Sequence, residues 1–315
     1  SAASSDYPLR DVYKRQAMFL RNTSDTIEGK TEMIKSSELL PGRSSSAPVP
    51  GTSSSGGGVP IEFSALSFDR LLSGLFMANW VRDATDSKVS TLTPGTLAKK
   101  FWILKHFAEA DRPIFQLFAK NMVDSLDLTF AVNAIVTGAF NFVGVNDPLM
   151  VPTVNPVTGL ASLPAPLSTE AFTSRIGYLK IDDIECTESK EFKLSVKNNL
   201  AAIYALFQSE ADVKEKALDV TGSVAIYFTD ETAYNKAVNA ATVTFGIQVA
   251  DAAGNSYLWE LSGTKFDSHS SAVSGKEEMV LSFPFTAFGT NVVNVTRTLA
   301  TATTHFTLTY DANDS

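Results

Sequence analysis

Three histidines and one cysteine are all that this chain of 315 residues offers for nucleophilic or transition-metal chemistry. His106 falls on the polar side of an alternating stretch, opposite Phe101 and Phe107. His269 stands in a Ser-rich run, and His305 precedes Phe306 in a polar C-terminal stretch of strand character. None of the three sits in a sequence context that would make it a base. The nucleophile elbow G-x-S-x-G, the phosphate-binding P-loop, H-E-x-x-H and paired C-x-x-C are all missing from the sequence. Cys186, being alone, can neither close an internal disulfide nor complete a zinc site, and it reads as a passive buried or half-buried side chain. Glu62 and Asp69 are carboxylates that could pair across a cleft as general acid and base. The simpler account is structural: Asp69 opens a helix whose dipole it complements, and Glu62 lies on the face of a strand. Gly56, Gly57 and Gly58 precede no helix N-terminus of the phosphate-binding kind and read as flexible loop. The sequence therefore assigns no catalytic, cofactor-binding or metal-ligating residue and implies no cofactor. The chain is not read as an enzyme.

Composition narrows the remaining classes. The hydrophobic fraction is 44% and the charged fraction 19%, enough apolar material for two compact domains with a core each. The formal net charge is −8 and no block of Lys and Arg stands out, which excludes adhesive binding to nucleic-acid phosphate. A free thiol without disulfides suits synthesis in a reducing cytoplasm. No run of 18 apolar residues and no basic-then-apolar leader appears, so the expectation is a protein soluble as made, without a membrane partner.

The elements follow from periodicity. Val220, Gly222, Val224, Ile226 and Phe228 fall on one face of an extended strand. Thr221, Ser223, Ala225 and Tyr227 fall on the other, and residues 230–240 then have helical spacing. Residues 58–72 read the same way: strand, break, short amphipathic helix, with the helix extending from Asp69 to Trp80. Residues 42–58 and 82–99 read as polar loops, and the charged stretch 209–216 as another. Alternating runs at 101–107, 114–118, 126–130, 136–142, 192–196, 243–249, 257–261 and 279–285 read as further strands. Turns fall at Asn133 and at Gly254–Asn255, and five prolines between Asn146 and Gly177 mark a connection. Phe101, Ile103 and Phe107 match Val243, Phe245 and Val249, while Phe140 and Phe142 match Phe283 and Phe285. Phe63 and Phe68 match Phe228 and Tyr234. Three matches in the same order indicate an internal duplication.

The expected organisation is thus mainly β. A segment 1–16 is either a polar N-terminal arm or foreign to the natural chain. A first module covers 17–145, a Pro-rich connection 146–176, a second module 177–298 and a C-terminal extension 299–315.

One family has this order of residues. Leu20-Arg21-Asn22-Thr23, Ser37-Glu38-Leu39 with Arg43, Glu62 in a strand and Phe68-Asp69-Arg70-Leu71-Leu72 resemble the tail tube proteins of long-tailed, non-contractile bacteriophages. The second half resembles them more closely. There Asn199-Leu200-Ala201-Ala202-Ile203 is followed by Val220-Thr221-Gly222-Ser223-Val224, by Tyr227-Phe228-Thr229-Asp230, and by Asn294-Val295-Thr296-Arg297-Thr298. The resemblance covers roughly residues 18–298, and the two ends depart from the family pattern. It implies two tandem tail-tube-type β-sandwich or barrel modules, each with a short flanking α-helix. It further implies rings stacked around an acidic channel through which double-stranded DNA passes. Partners are then the chain itself, a tape measure protein and tail terminator or tip proteins, in the virion after synthesis in the host cytoplasm. With two modules per chain, a trimer imitating a hexamer is expected, with a true hexamer as the alternative. Loops 42–58 and 208–217 are the expected ring-to-ring contacts. Lys193, Ser195 and Lys197 turn away from the core, to the lumen or the outside. The competing reading is a β-sandwich adhesin or carbohydrate-binding protein, against which stands the lack of aromatic clusters or Asp-rich calcium loops in 42–58.

Overall fold

Side chains of an extended strand alternate between two faces, so an apolar row on one of them commits that face to a core. The structure, a computed structural model, describes residues 18–38, 46–107, 110, 114–152, 165–206, 212–228, 232–267 and 279–301. The first half contains β1 (Glu28–Ile34), β2 (Val49–Glu62), α1 (Asp69–Leu75), β3 (Val81–Arg82) and β4 (Val89–Leu92). It continues with β5 (Phe101–Phe107), β6 (Ile114–Ala131), β7 (Thr137–Gly144) and β8 (Met150–Pro152). The second half begins with β9 (Gly177–Ile181), β10 (Ile184–Glu185), β11 (Ser189–Lys197), β12 (Ala201–Ile203), β13 (Asp212–Lys214) and β14 (Asp219–Tyr227). Then come α2 (Thr232–Val238), β15 (Val243–Ala250), β16 (Ser256–Phe266), β17 (Val280–Ala287) and β18 (Val293–Thr298).

The fold is mainly β, and sixteen of these strands form a single sheet, antiparallel at every pairing. Strands β12 and β13 make a separate two-stranded sheet. In the first half the pairing order is β1-β2-β7-β6, with β5 and β8 both paired to the N-terminal part of β6. In the second half it is β11-β14-β17-β16, with β15 and β18 both paired to β16. A short helix follows the second strand of each set. The two sets meet edge to edge where β6 pairs β11, from Glu191↔Ala131 to Lys197↔Ser125.

The core side of this sheet carries the rows read from the sequence: Phe192, Leu194 and Val196 are buried, as are Leu281, Phe283 and Phe285. Helix α1 buries Leu71, Leu72 and Leu75 against it, and Gly74 lets the Phe101 ring lie directly on the helix backbone. Aromatic rings bridge the halves: Phe63 lies 5.3 Å from Tyr257 and 6.4 Å from Trp259, ring centre to ring centre. Each such ring contributes roughly 1.5–3 kcal/mol by leaving water, which is why the interior is built on them.

Several segments differ from the expectation. Within 42–58 the part from Val49 onward is no loop but the first ten residues of β2, paired to β1 on one side and β7 on the other. Glycine has low strand propensity, yet here it is required. A Cβ on Gly57, whose φ is +149°, would lie 2.3 Å from the Thr26 carbonyl oxygen. The stretch 82–99 contains β4, which pairs β18 of the other half and buries Leu92 and Ser90. The stretch 209–216 contains β13, paired to β12. Helix α1 stops at Leu75 and not at Trp80, because Met77 turns left-handed at φ +48° and Gly95 donates its N–H to the Phe76 carbonyl. The expected strands 114–118 and 126–130 are one strand, β6, continued through a left-handed Lys120. The turns at Asn133 (φ +55°) and Gly254 (φ +91°) stand as read. In the proline-rich connection β8 pairs β6, and Phe172 is buried against Phe63.

Candidate functional site

The carboxylates singled out as an acid–base pair go to different environments. Glu62 ends β2 on the exposed side of the sheet, in an open shallow groove with Thr23, Pro60, Asp127 and Thr137. Asp69 turns inward from the first turn of α1. His106 stacks on Phe115 at 4.6 Å along β5. His269, His305 and Arg43 lie outside the described residues. Cys186 is half-buried, and burial raises its thiol pKa, so it is a poor nucleophile at neutral pH. Among the described residues no group of three His, Cys, Asp or Glu is arranged to hold a metal ion, and no helix is long and apolar enough to cross a membrane.

Asp69 instead anchors a buried polar network that ties the halves together. Its carboxylate forms an ion pair with Arg297 of β18 and accepts the Tyr257 hydroxyl of β16 at 2.5 Å. Tyr257 in turn accepts the backbone N–H of Leu66 at 3.0 Å. Arg297 donates to the Ser90 hydroxyl of β4 at 3.2 Å and lies over the Trp80 ring at 4.9 Å, while the Trp80 indole donates to the Asp69 carbonyl. Burial, then the Asp69 charge, push the Tyr257 pKa well above that of a free phenol. The hydroxyl therefore remains a donor. A second buried cation, Lys99, donates to the Ala78 carbonyl at 2.6 Å and the Asn79 amide oxygen at 2.7 Å, and also to the Ser73 hydroxyl. Burial lowers its pKa to about 8. These groups stitch helix end, loop and strands together.

The other extended feature is the polar side of the sheet. Cross-strand register places Glu62, Thr137, Thr129, Lys193, Ser223 and Pro284 in one row across six strands. The next row is Pro60, Ala139, Asp127, Ser195, Thr221 and Thr286. Lys193, Ser195 and Lys197 thus turn away from the core, as the alternation requires. The side chains are short and satisfy one another. Ser195 donates to Asp127 at 2.6 Å, the Asn141 amide donates to Ser125 at 2.8 Å, and Lys193 pairs Glu191 at 3.0 Å. Charges alternate in sign across the β6–β11 joint: Asp127, Glu191 and Asp219 stand among Lys193 and Lys197. Among the described residues this surface carries an open shallow groove and no cluster of free cations. It is a wall.

Residues 10–287 match the family described as Phage tail tube protein. The chain belongs to that family. The match spans most of the chain, beginning within the segment 1–16 and ending in β17. No curated protein matches it. This tail tube protein is a structural subunit of the phage tail, a virion component that assembles with itself and with other tail components. Its family is a structural one and not a known class of enzyme.

Sequence reasoning missed the Asp69–Arg297–Tyr257 network and Lys99. For Arg297 a signal existed. It shares strand parity with Val293 and Val295, both buried, so it had to point inward and required an anion there.

Proposed function

We propose that the tail tube protein forms rings of three chains in which six like units surround a channel, and that these rings stack into the tube. Support comes from the pairing order, β1-β2-β7-β6 and β11-β14-β17-β16, followed twice along the chain, and from the edge-to-edge joint between β6 and β11. A sheet that already continues from one unit to the next within a chain leaves strand edges at its two ends, and sister molecules cover them by the same pairing. Three chains complete six units, whereas six chains would give twelve.

In this reading the first unit covers 17–145 and the second 177–298, joined by 146–176. The polar side of the sheet, with Asp127, Ser195, Lys193 and Lys197, lines the bore. Its mutually bonded side chains and excess of carboxylates leave no row of free cations for phosphate to hold, so double-stranded DNA passes during ejection without adhering. Glu62, Asp127, Glu191 and Asp219 outnumber Lys193 and Lys197 on this side, which keeps the bore acidic in line with the net charge of −8. A tape measure protein inside the bore and terminator or tip proteins at its ends complete the tail.

Electron microscopy of the purified protein at high concentration tests this reading. Hollow rods or rings are expected, with three chains per ring from mass per length and axial class averages. Monodisperse monomers at every concentration would refute it.

A further inference from the structure

The joint between β6 and β11 serves as a template, and we propose that it specifies the seam between two copies of this chain down to the residue: the edge of β1 of one copy pairs the C-terminal end of β16 of the next, with Lys30 opposite Asp267. This assignment rests on the ring reading above and deepens it.

Register fixes the correspondence. Val59 pairs Phe140 as Val224 pairs Phe283, and Gly57 pairs Phe142 as Gly222 pairs Phe285, so β2 and β7 stand to each other as β14 stands to β17. One strand further out, Lys30 pairs Ser54 as Lys197 pairs Asp219, which makes Lys30 the counterpart of Lys197. On the other flank Ser125 pairs Asn141, and the N–H of Asp267 bonds the carbonyl of Pro284, the residue equivalent to Asn141. Asp267 is therefore the counterpart of Ser125. Within the chain Ser125 pairs Lys197. Between chains Asp267 must meet Lys30.

The edges concerned are open. Strand β1 ends the path of the sheet and pairs only β2 among the described strands. Strand β15 leaves β16 at Thr264, so Lys265, Phe266 and Asp267 have β17 on one side and no described strand on the other. Lys30, Glu32 and Asp267 are all exposed, and Met33, Ile34 and Val49 leave apolar side chains uncovered at the far end of β1. The charges agree with the register. Lys30 and Asp267 are of opposite sign, as a favourable cross-strand pair requires. The occupant is a second copy of the same chain.

Charge reversal and crosslinking test the assignment on the full chain. Lys30→Glu or Asp267→Lys alone is expected to raise the concentration needed for tube formation about fivefold or more, and the double variant to restore it. Thermal unfolding of the unassembled variants separates seam effects from misfolding. In a Cys186→Ser background, Lys30→Cys with Asp267→Cys and a short thiol-bridging reagent is expected to give a covalent ladder that stops at three chains. A control pair, Lys30→Cys with Ser282→Cys, is expected to give none. Tubes from the wild-type chain with no crosslink and no rescue by the double reversal would overturn the seam while leaving the ring reading intact. A wild-type chain that never assembles would overturn both.

Discussion

Replacing Asp69 by Asn should be among the most damaging single changes in the molecule, although it alters no volume. The carboxylate pairs Arg297, and the two side chains are only 14% and 8% exposed. Asn keeps an acceptor for the Tyr257 hydroxyl but leaves a guanidinium buried with no anion, held by Ser90 and the face of Trp80. Breaking a buried pair by removing one partner costs about 3–5 kcal/mol. At 2–4 °C per kcal/mol for chains of this order, the melting temperature of the unassembled protein should fall by roughly 6–20 °C. The double change Asp69→Leu with Arg297→Met removes both charges together and should cost distinctly less than the sum of the single changes. Thermal and urea unfolding at neutral pH, below the concentration of assembly, measure both. A loss under about 1 kcal/mol for Asp69→Asn, or full additivity in the double variant, would refute the view that this pair is a buried, mutually dependent clamp.

Two further outcomes follow from the same interior. Lys99 has a folded pKa of about 8, below its unfolded value, so between pH 8 and 10 it contributes a stability that rises with pH, opposed above about pH 9 by the Cys186 thiol, which ionises first in the unfolded chain. Lys99→Met should flatten that rise. Above about pH 10 the sign reverses, because unfolded Tyr257 ionises while the buried phenol does not, and stability should fall in both proteins. Unfolding free energies across this range, with and without the substitution, check both limbs. Gly57→Val puts a branched side chain 2.3 Å from the Thr26 carbonyl at φ +149° and should cost about 2 kcal/mol or more. Gly246→Val, where only side chains at 3.9 Å are met, should cost far less in the same unfolding assay.

Where one principle dominated, the sequence was legible. Rows such as Phe192-Leu194-Val196 and Leu281-Phe283-Phe285 have a period of two and a single burial requirement, and they fold as the period demands. The strand–helix order at 58–72 and 220–240 was equally plain. Residues 49–58 were not, because glycine and serine carry no β signal of their own. They are strand because β1 and β7 approach from both sides and only small residues fit, which is a tertiary fact. Strand β4 escaped for a similar reason: Val89-Ser90-Thr91-Leu92 is short, and its partner β18 lies some two hundred residues away. The polar wall could be read only as a parity, Lys193 and Lys197 facing away from the core. Which residues stand beside them is set by the β6–β11 joint, to which local sequence gives no access.

The strand pair β3 and β4 is inserted after α1, whereas only four residues separate α2 from β15. In the proposed ring of three chains the joints would be of two kinds. Those within a chain are covalently continuous and clasped by β4 on β18 and Arg297 on Asp69; in the proposed assembly those between chains would lack both, since each device is already used within its own chain. A tube under shear or sudden internal pressure would fail along its weaker lines, shedding intact polypeptides while each doublet of units stays whole.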